Sequence, residues 1–176
     1  MTADVTVRRA DRADVPAILE IYNEAVVNTT ASYDLAPVSL ESRLTWFDHK
    51  QQAGWPVLVA EQEGRVVAWA TYGPYRDKAG YAGTVEHSVY VHAGGRGGGI
   101  GRALMAALLA DARERSLHVM LGVIDAENAA SIRFHENFGF VVVGRLSQVG
   151  RKFDRWLDTV YMQLMLQTEA PTTSLR

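Results

Sequence analysis

The stretch TVEHSVYV (84–91) sets a carboxylate beside an imidazole in a run otherwise rich in β-branched residues. Such runs form central strands, where a carboxylate is seldom buried unpaired. Side chains alternate along a strand, so Glu86, Ser88 and Tyr90 share one face, and Val85, His87, Val89 and Val91 the other. Burial raises a carboxyl pKa and makes the group a better proton acceptor, so Glu86 is a candidate general base acting through a water. An ion pair with a nearby arginine, or a solvated sheet end, accounts for the same glutamate, and on the strand alone that is the simpler reading. His87 reads as a packed or hydrogen-bonded core histidine unless a bulge turns it.

Directly downstream lies HAGGRGGGIGRALM (92–105), a glycine-rich turn that becomes abruptly apolar. A strand, a glycine turn and a helix start make an anion site, because unpaired N–H groups point outward and the helix dipole adds positive charge. Several ligands fit that description. A nucleotide P-loop is excluded, since Ile100 follows Gly99 where lysine is required, and no register gives the G-x-G-x-x-G dinucleotide fingerprint. What remains is R-x-x-G-x-G at Arg96, Gly99 and Gly101. Farther on, Asn128, Ser131 and His135 fall at i, i+3 and i+7, on one stripe of a short helix.

The elements that must position these residues follow from periodicity and turn chemistry. VTVRRA (5–10) is a first strand, and a helix begins near Asp11 or Asp14 with Pro16 in its first turn. A polar loop covers 28–39, and Ser39 caps a second helix to about Gln52. Strands at 57–62 and 65–73 turn at Glu63-Gly64, and a loop at 73–83 precedes the strand at 84–92. The glycine run opens a helix over 99–116, then come a strand at 118–124 and a helix at 128–137. Strands at 140–146 and about 159–166 complete the set. The expected fold class is α/β, a mixed, mostly antiparallel central sheet with helices on both faces.

Composition bounds the partners. The 176 residues carry 18 basic and 20 acidic side chains, a net charge of −2, so no basic field advertises nucleic acid or a membrane surface. With no cysteine there is no disulfide, thiolate metal site or cysteine nucleophile, and no metal is expected. MTADVTVRRA lacks the apolar core of a signal peptide, and no apolar run approaches the roughly 20 residues that span a bilayer. The expectation is a cytoplasmic protein with one domain over 1–166 and a disordered tail over 167–176.

Arg96, Gly99 and Gly101 carry a spacing that resembles the coenzyme A pyrophosphate loop of the GNAT superfamily of N-acetyltransferases. NAASIRFHENFGF (128–140) resembles the second signature of that superfamily, an Asn followed seven residues later by Tyr and then Gly-Phe; here His135 stands at the Tyr position. TVEHSVYV, the R-x-H-E at 133–136 and YNEAVVNTT (22–30) are similar to the phosphinothricin acetyltransferase group, which carries His there and includes enzymes acting on methionine sulfoximine and methionine sulfone. The resemblance spans roughly 4–166. It implies acetyl-CoA as cosubstrate and direct transfer to an amine, with Glu86 as base. His135 would donate to the departing thiolate or take the amine proton, the alternative being a histidine packed between helix and sheet.

It further implies that the backbone of Val89 and Val91 pairs with the pantetheine arm. Amides of Arg96, Gly97, Gly98, Gly99, Gly101 and Arg102 would hold the pyrophosphate, with added charge from Arg96 and Arg102, and Asn128 and Ser131 would face the pantetheine or adenosine. On the acceptor side the residues themselves nominate Arg76 to clamp an amino-acid carboxylate, with Tyr33 and Tyr75 walling the side-chain pocket; loop side chains on a wet surface are the alternative. Arg151, Lys152 and Trp156 would close the site or lie in a homodimer interface. The implied acceptor is a small amino acid or analogue such as phosphinothricin, methionine sulfoximine or methionine sulfone. The alternatives are a polyamine, an aminoglycoside or a protein N-terminus. Polycations are disfavoured because the 73–83 loop offers only Asp77 against Arg76 and Lys78. A non-catalytic acyl-CoA-binding module is expected to have lost Glu86 or His135.

Overall fold

The computed structural model describes residues 5–96 and 98–167. Gly97, one of the expected amide donors, and the expected tail from 168 onward lie outside the described residues. Strands β1 (Val5–Arg9), β2 (Val57–Gln62), β3 (Arg65–Pro74) and β4 (Thr84–Val91) form the first half of the sheet. Helices α1 (Val15–Asn28) and α2 (Leu40–Gln52) are inserted between β1 and β2. The second half holds α3 (Ile100–Glu114), β5 (Val119–Asp125), α4 (Ala129–Glu136), β6 (Val141–Lys152) and β7 (Arg155–Met165). The seven strands lie in the order β1-β2-β3-β4-β5-β7-β6. Every neighbouring pair is antiparallel except β4–β5.

Apolar faces of the sheet are covered on both sides. Leu104, Met105 and Leu108 of α3 pack with Tyr72, Val85, Met120 and Met162. On the other face Ile18 and Ile21 of α1 and Phe47 of α2 close over Val57, Val59 and Trp69. Ser39 accepts the Ser42 amide and caps α2, as the sequence suggests. At the start of α1, Asp11 caps a short 3-10 turn while Asp14 is held by Arg8 at 2.7 and 2.9 Å.

The last two strands are longer than the sequence indicates. β6 runs on to Lys152 and β7 begins at Arg155, so the segment expected to lie between strands is a hairpin turning at Phe153-Asp154. Both turn residues have positive φ, 51° and 58°, the backbone of a type I′ turn built without the usual glycine or asparagine.

The parallel pair β4–β5 has a register only from Thr84–Val119 to Glu86–Leu121. Beyond it β4 follows β3 to the Ala68–Val91 pair, while β5 follows β7 to the Thr159–Asp125 pair, so the two strands part. Two buried imidazoles, His87 from β4 and His135 from α4, stack at the point of divergence with ring centroids 5.0 Å apart and Nε2 atoms 3.1 Å apart. They lie over Gly122, where a Cβ would stand 3.1 Å from His87 Nε2 and 3.2 Å from the His135 ring.

The contacts fix the protons. His135 Nδ1 is 2.6 Å from the Ser131 carbonyl and must donate to it, so His135 Nε2 accepts from His87 Nε2–H. That leaves His87 Nδ1 as a bare lone pair, which explains why this buried atom has no partner. Burial lowers the pKa of both rings, and the partner ring lowers that of His87 further. Both are therefore neutral in the folded protein, whereas in the unfolded chain they take protons below about 6.5. Stability is full above that pKa and falls as the pH drops below it, by up to about 1.4 kcal/mol per pH unit for each histidine. Thermal unfolding followed between pH 7.5 and 5 should show this loss, and His87→Leu/His135→Phe should flatten the profile; a wild-type midpoint constant across that window would contradict the neutral pair.

Candidate active site

The parting strands open a cavity of about 1040 Å³. Its inner wall is the unpaired edge of β4. His92 donates its amide to Val67 on β3, and amides along a strand alternate in direction, so those of Val89 and Val91 face the gap. Val89, Val91, Arg96, Gly99, Gly101, Arg102, Asn128, Ser131 and His135 all line this cavity. Gly98 is described but does not line it.

Gly99 sits at φ 79°, a left-handed conformation suited to glycine, and caps α3. The first intrahelical bond runs from Ala103 to the Gly99 carbonyl, so the amides of Ile100, Gly101 and Arg102 have no partner within the helix and stand at the cavity wall. Unpaired amides at the positive end of a 15-residue helix, beside a free strand edge, form the donor set that a pyrophosphate with an amide-bearing arm requires. Arg96 bonds the Val91 carbonyl through Nε at 3.4 Å. Asn128 uses its side-chain oxygen to cap α4 on the Ser131 amide at 3.0 Å. His135 reaches the cavity with both ring nitrogens engaged, one by Ser131 and one by His87.

A second cavity of about 490 Å³ opens on the α1–α2 side of the sheet and shares Glu86, Ser88 and Tyr90 with the first. The three residues that alternation puts on one face of the strand thus stand where the cavities meet. Glu86 is open to this junction rather than buried, yet enough protein surrounds it to raise its carboxyl above the ordinary carboxylate range. Among the described residues it forms no ion pair.

Two cations in the smaller cavity escaped the sequence reading. Arg43 is 7% exposed, stacks on the rings of Tyr22, Trp46 and Trp69, and leaves its Nε without a partner among the described residues. Lys50 donates to the Tyr72 carbonyl at 2.9 Å over Gly73, the partner of Glu86 in the β3–β4 register, and burial lowers its pKa to about 8. Arg43, Trp46 and Lys50 are spaced i, i+3, i+7 on α2, the same stripe that singles out Asn128, Ser131 and His135 on α4. That spacing was the available signal.

Tyr75 and Arg76 line neither cavity; Arg76 stacks on Tyr75 and Tyr81, two residues beyond Pro74 at the edge of the smaller one. Tyr33 lines the larger cavity instead of the smaller, with its hydroxyl 3.1 Å from Thr159 and its ring against Gly150, where any Cβ would collide with it. Lys152 is buried and ties the hairpin to the Ser32 carbonyl at 2.7 Å, while Arg151 and Trp156 are exposed.

Comparison with known proteins agrees with this geometry. The family model described as the acetyltransferase (GNAT) family matches residues 16–140. The L-methionine sulfoximine/L-methionine sulfone acetyltransferase of Salmonella typhimurium is 47% identical over 166 residues, 94% of this chain and 97% of that protein. The crystal structure of a GNAT superfamily phosphinothricin acetyltransferase from Sinorhizobium meliloti in complex with acetyl-CoA is 35% identical, with a TM-score of 0.90 over 98% of this chain and 95% of that one. A ribosomal-protein-alanine N-acetyltransferase structure from Brucella melitensis is 51% identical, with a TM-score of 0.89 over 91% and 99%. The splayed strands, the glycine-capped helix and these matches together make the chain a member of the GNAT acetyltransferase family.

Proposed function

We propose that the protein transfers the acetyl group of acetyl-CoA to the α-amino group of a small amino acid of the methionine sulfoximine, methionine sulfone or phosphinothricin type. The observation that carries this reading is the meeting of two cavities at Glu86, one with the donor set for coenzyme A and one small, aromatic and cationic. Acetyl-CoA, when bound, supplies an activated acyl carbonyl and a thiolate leaving group. The amides of Val89, Val91 and Ile100 to Arg102 would hold its pantetheine and pyrophosphate, with Arg96, Asn128 and Ser131 alongside.

An amino acid at neutral pH carries an ammonium, which must lose its proton before it can attack a carbonyl. Glu86, lifted in pKa and with no ion-pair partner among the described residues, takes that proton through a water. His135 is less suited to proton transfer, since its one N–H is spent on Ser131 and burial opposes a second proton. Its role in this reading is to hold α4 against the parted strands. Lys50, over the Gly73–Glu86 row, and Arg76, at the cavity edge, are the cations offered to the acceptor carboxylate.

The Brucella structure named for a ribosomal-protein alanine favours a second reading, acetylation of a protein N-terminus. An aromatic-walled cavity of about 490 Å³ suits a free amino acid better than a polypeptide end. The proposed assembly is a cytoplasmic homodimer. The thioester cosubstrate supports the location, and edge strand β6, which exposes Val141, Val142, Val143, Leu146 and Val149, supports the dimer.

Coenzyme A release measured with methionine sulfone, methionine sulfoximine, phosphinothricin, spermidine, kanamycin and a short alanine-ended peptide tests the acceptor class. Turnover confined to the amino-acid analogues is expected, and turnover confined to the peptide would shift the conclusion to the second reading. Glu86→Gln should lower kcat by about 10²–10³ with little change in the KM for acetyl-CoA, and should remove the acidic limb of the pH–rate profile. An intact limb in that variant would assign the base elsewhere. Sedimentation should give twice the chain mass; a monomer would remove the homodimer.

A further inference from the structure

The inner end of the acceptor cavity holds two buried N–H donors with no partner among the described residues, Arg43 Nε and Trp69 Nε1. They are neighbours, since the Arg43 guanidinium carbon lies 5.7 Å from the Trp69 ring. Buried donors in native proteins are almost always satisfied, so a pair of orphans at one wall marks the place of an acceptor atom that arrives from outside. Among the described residues Arg43 also has no carboxylate partner: Asp34, which lines the same cavity, takes the Tyr22 hydroxyl at 2.6 Å and forms no ion pair with it. Tyr22, Trp46 and Trp69 hold the guanidinium in one place by stacking, which presents a rigid fork rather than a flexible charge.

Distance decides which part of the acceptor meets this fork. Trp69 pairs with Tyr90, so Arg43 stands over a row four residues along β4 from Glu86, about 13 Å of strand. The carboxylate of an amino acid shares a carbon with the amine and stays within about 3 Å of it, whereas an oxygen on the side-chain sulfur of a methionine skeleton reaches about 6 Å. With the amine near Glu86 across a bridging water, only the side-chain head extends to Arg43.

We infer that Arg43, caged by Tyr22, Trp46 and Trp69, is the specificity-determining residue that recognises an oxygen-bearing tetrahedral head, sulfonyl, sulfoximine or phosphinyl, on the acceptor side chain. The inference rests on the amino-acid reading above and deepens it. Methionine, with the same skeleton and no such oxygens, leaves the two donors unpaired and is discriminated against, as sites built to hydrogen-bond a group reject analogues that lack it.

The experiment compares kcat/KM for methionine sulfone and for methionine in the wild type, Arg43→Gln and Arg43→Lys, with thermal unfolding of each variant as the control for folding. The wild type should prefer the sulfone. The ratio of the two constants should fall about 100-fold in Arg43→Gln and by less in Arg43→Lys, which keeps the charge but not the fork. A ratio unchanged while both constants fall would overturn the inference, because Arg43 would then serve a group common to both acceptors or the packing of the cavity. Should Arg43→Gln fail to fold, Arg43→Lys carries the same comparison. A wild type that binds coenzyme A but acetylates neither acceptor would instead overturn the amino-acid reading, and this one with it.

Discussion

Everything distinctive in this molecule depends on two parallel strands that pair for three residues and then separate. A parallel ladder normally continues, because an open strand edge in a protein interior leaves N–H and C=O groups unsatisfied. Here β4 and β5 part after Glu86 and Leu121, and the space that opens is not filled by side chains. The stacked pair of His87 and His135 occupies the vertex of the opening above Gly122, as a wedge whose only strongly polar contacts are to each other and to Ser131. Any side chain at position 122 would crowd that wedge. The amides of Val89 and Val91 are thereby left facing a cavity, and Glu86 becomes the last ladder residue before it.

The charges near Glu86 obey the same logic. Glu86, Lys50 and Arg43 line one small cavity, yet none of them forms an ion pair among the described residues. Each carries a burial cost, seen in a carboxyl pushed up and two cations pushed down in pKa. Other partly buried charges are matched, as in Arg8 with Asp14 and Glu61, or Arg145 with Asp158. Unmatched, partly desolvated charges gathered in one concave place are the electrostatic mark of a site shaped for a ligand rather than for stability. An acceptor with an amine, a carboxylate and a polar head would satisfy them together.

Much of this was legible in the chain because the signals are local. Strand alternation put Glu86, Ser88 and Tyr90 on one face, and the structure has all three at the junction of the cavities. Of the glycine run before α3, Gly95, Gly99 and Gly101 border the cavity while Gly94 and Gly98 do not, and the i, i+3, i+7 stripe of α4 borders it too. The failures are non-local. The hairpin at Phe153-Asp154 places a phenylalanine, with no intrinsic preference for it, at positive φ, and Asp154 is its one turn-forming residue. Tyr33 is drawn to the larger cavity by Gly150, far away in sequence, where the absent side chain leaves room for its ring. The proton arrangement of His135 is set by His87, 48 residues away. Arg43 and Lys50 belong to a polar helix and join the site only because α2 packs against the sheet beside the smaller cavity.

The most direct test of the open strand edge is amide hydrogen exchange along β4 with and without coenzyme A. The account predicts that the Val89 and Val91 amides, which face the gap, slow markedly on adding coenzyme A, while Ser88 and Tyr90, already turned to β3, change little. Binding of coenzyme A that leaves exchange at Val89 and Val91 unaltered would contradict it, and would mean that the parting of β4 and β5 serves something other than the thioester arm.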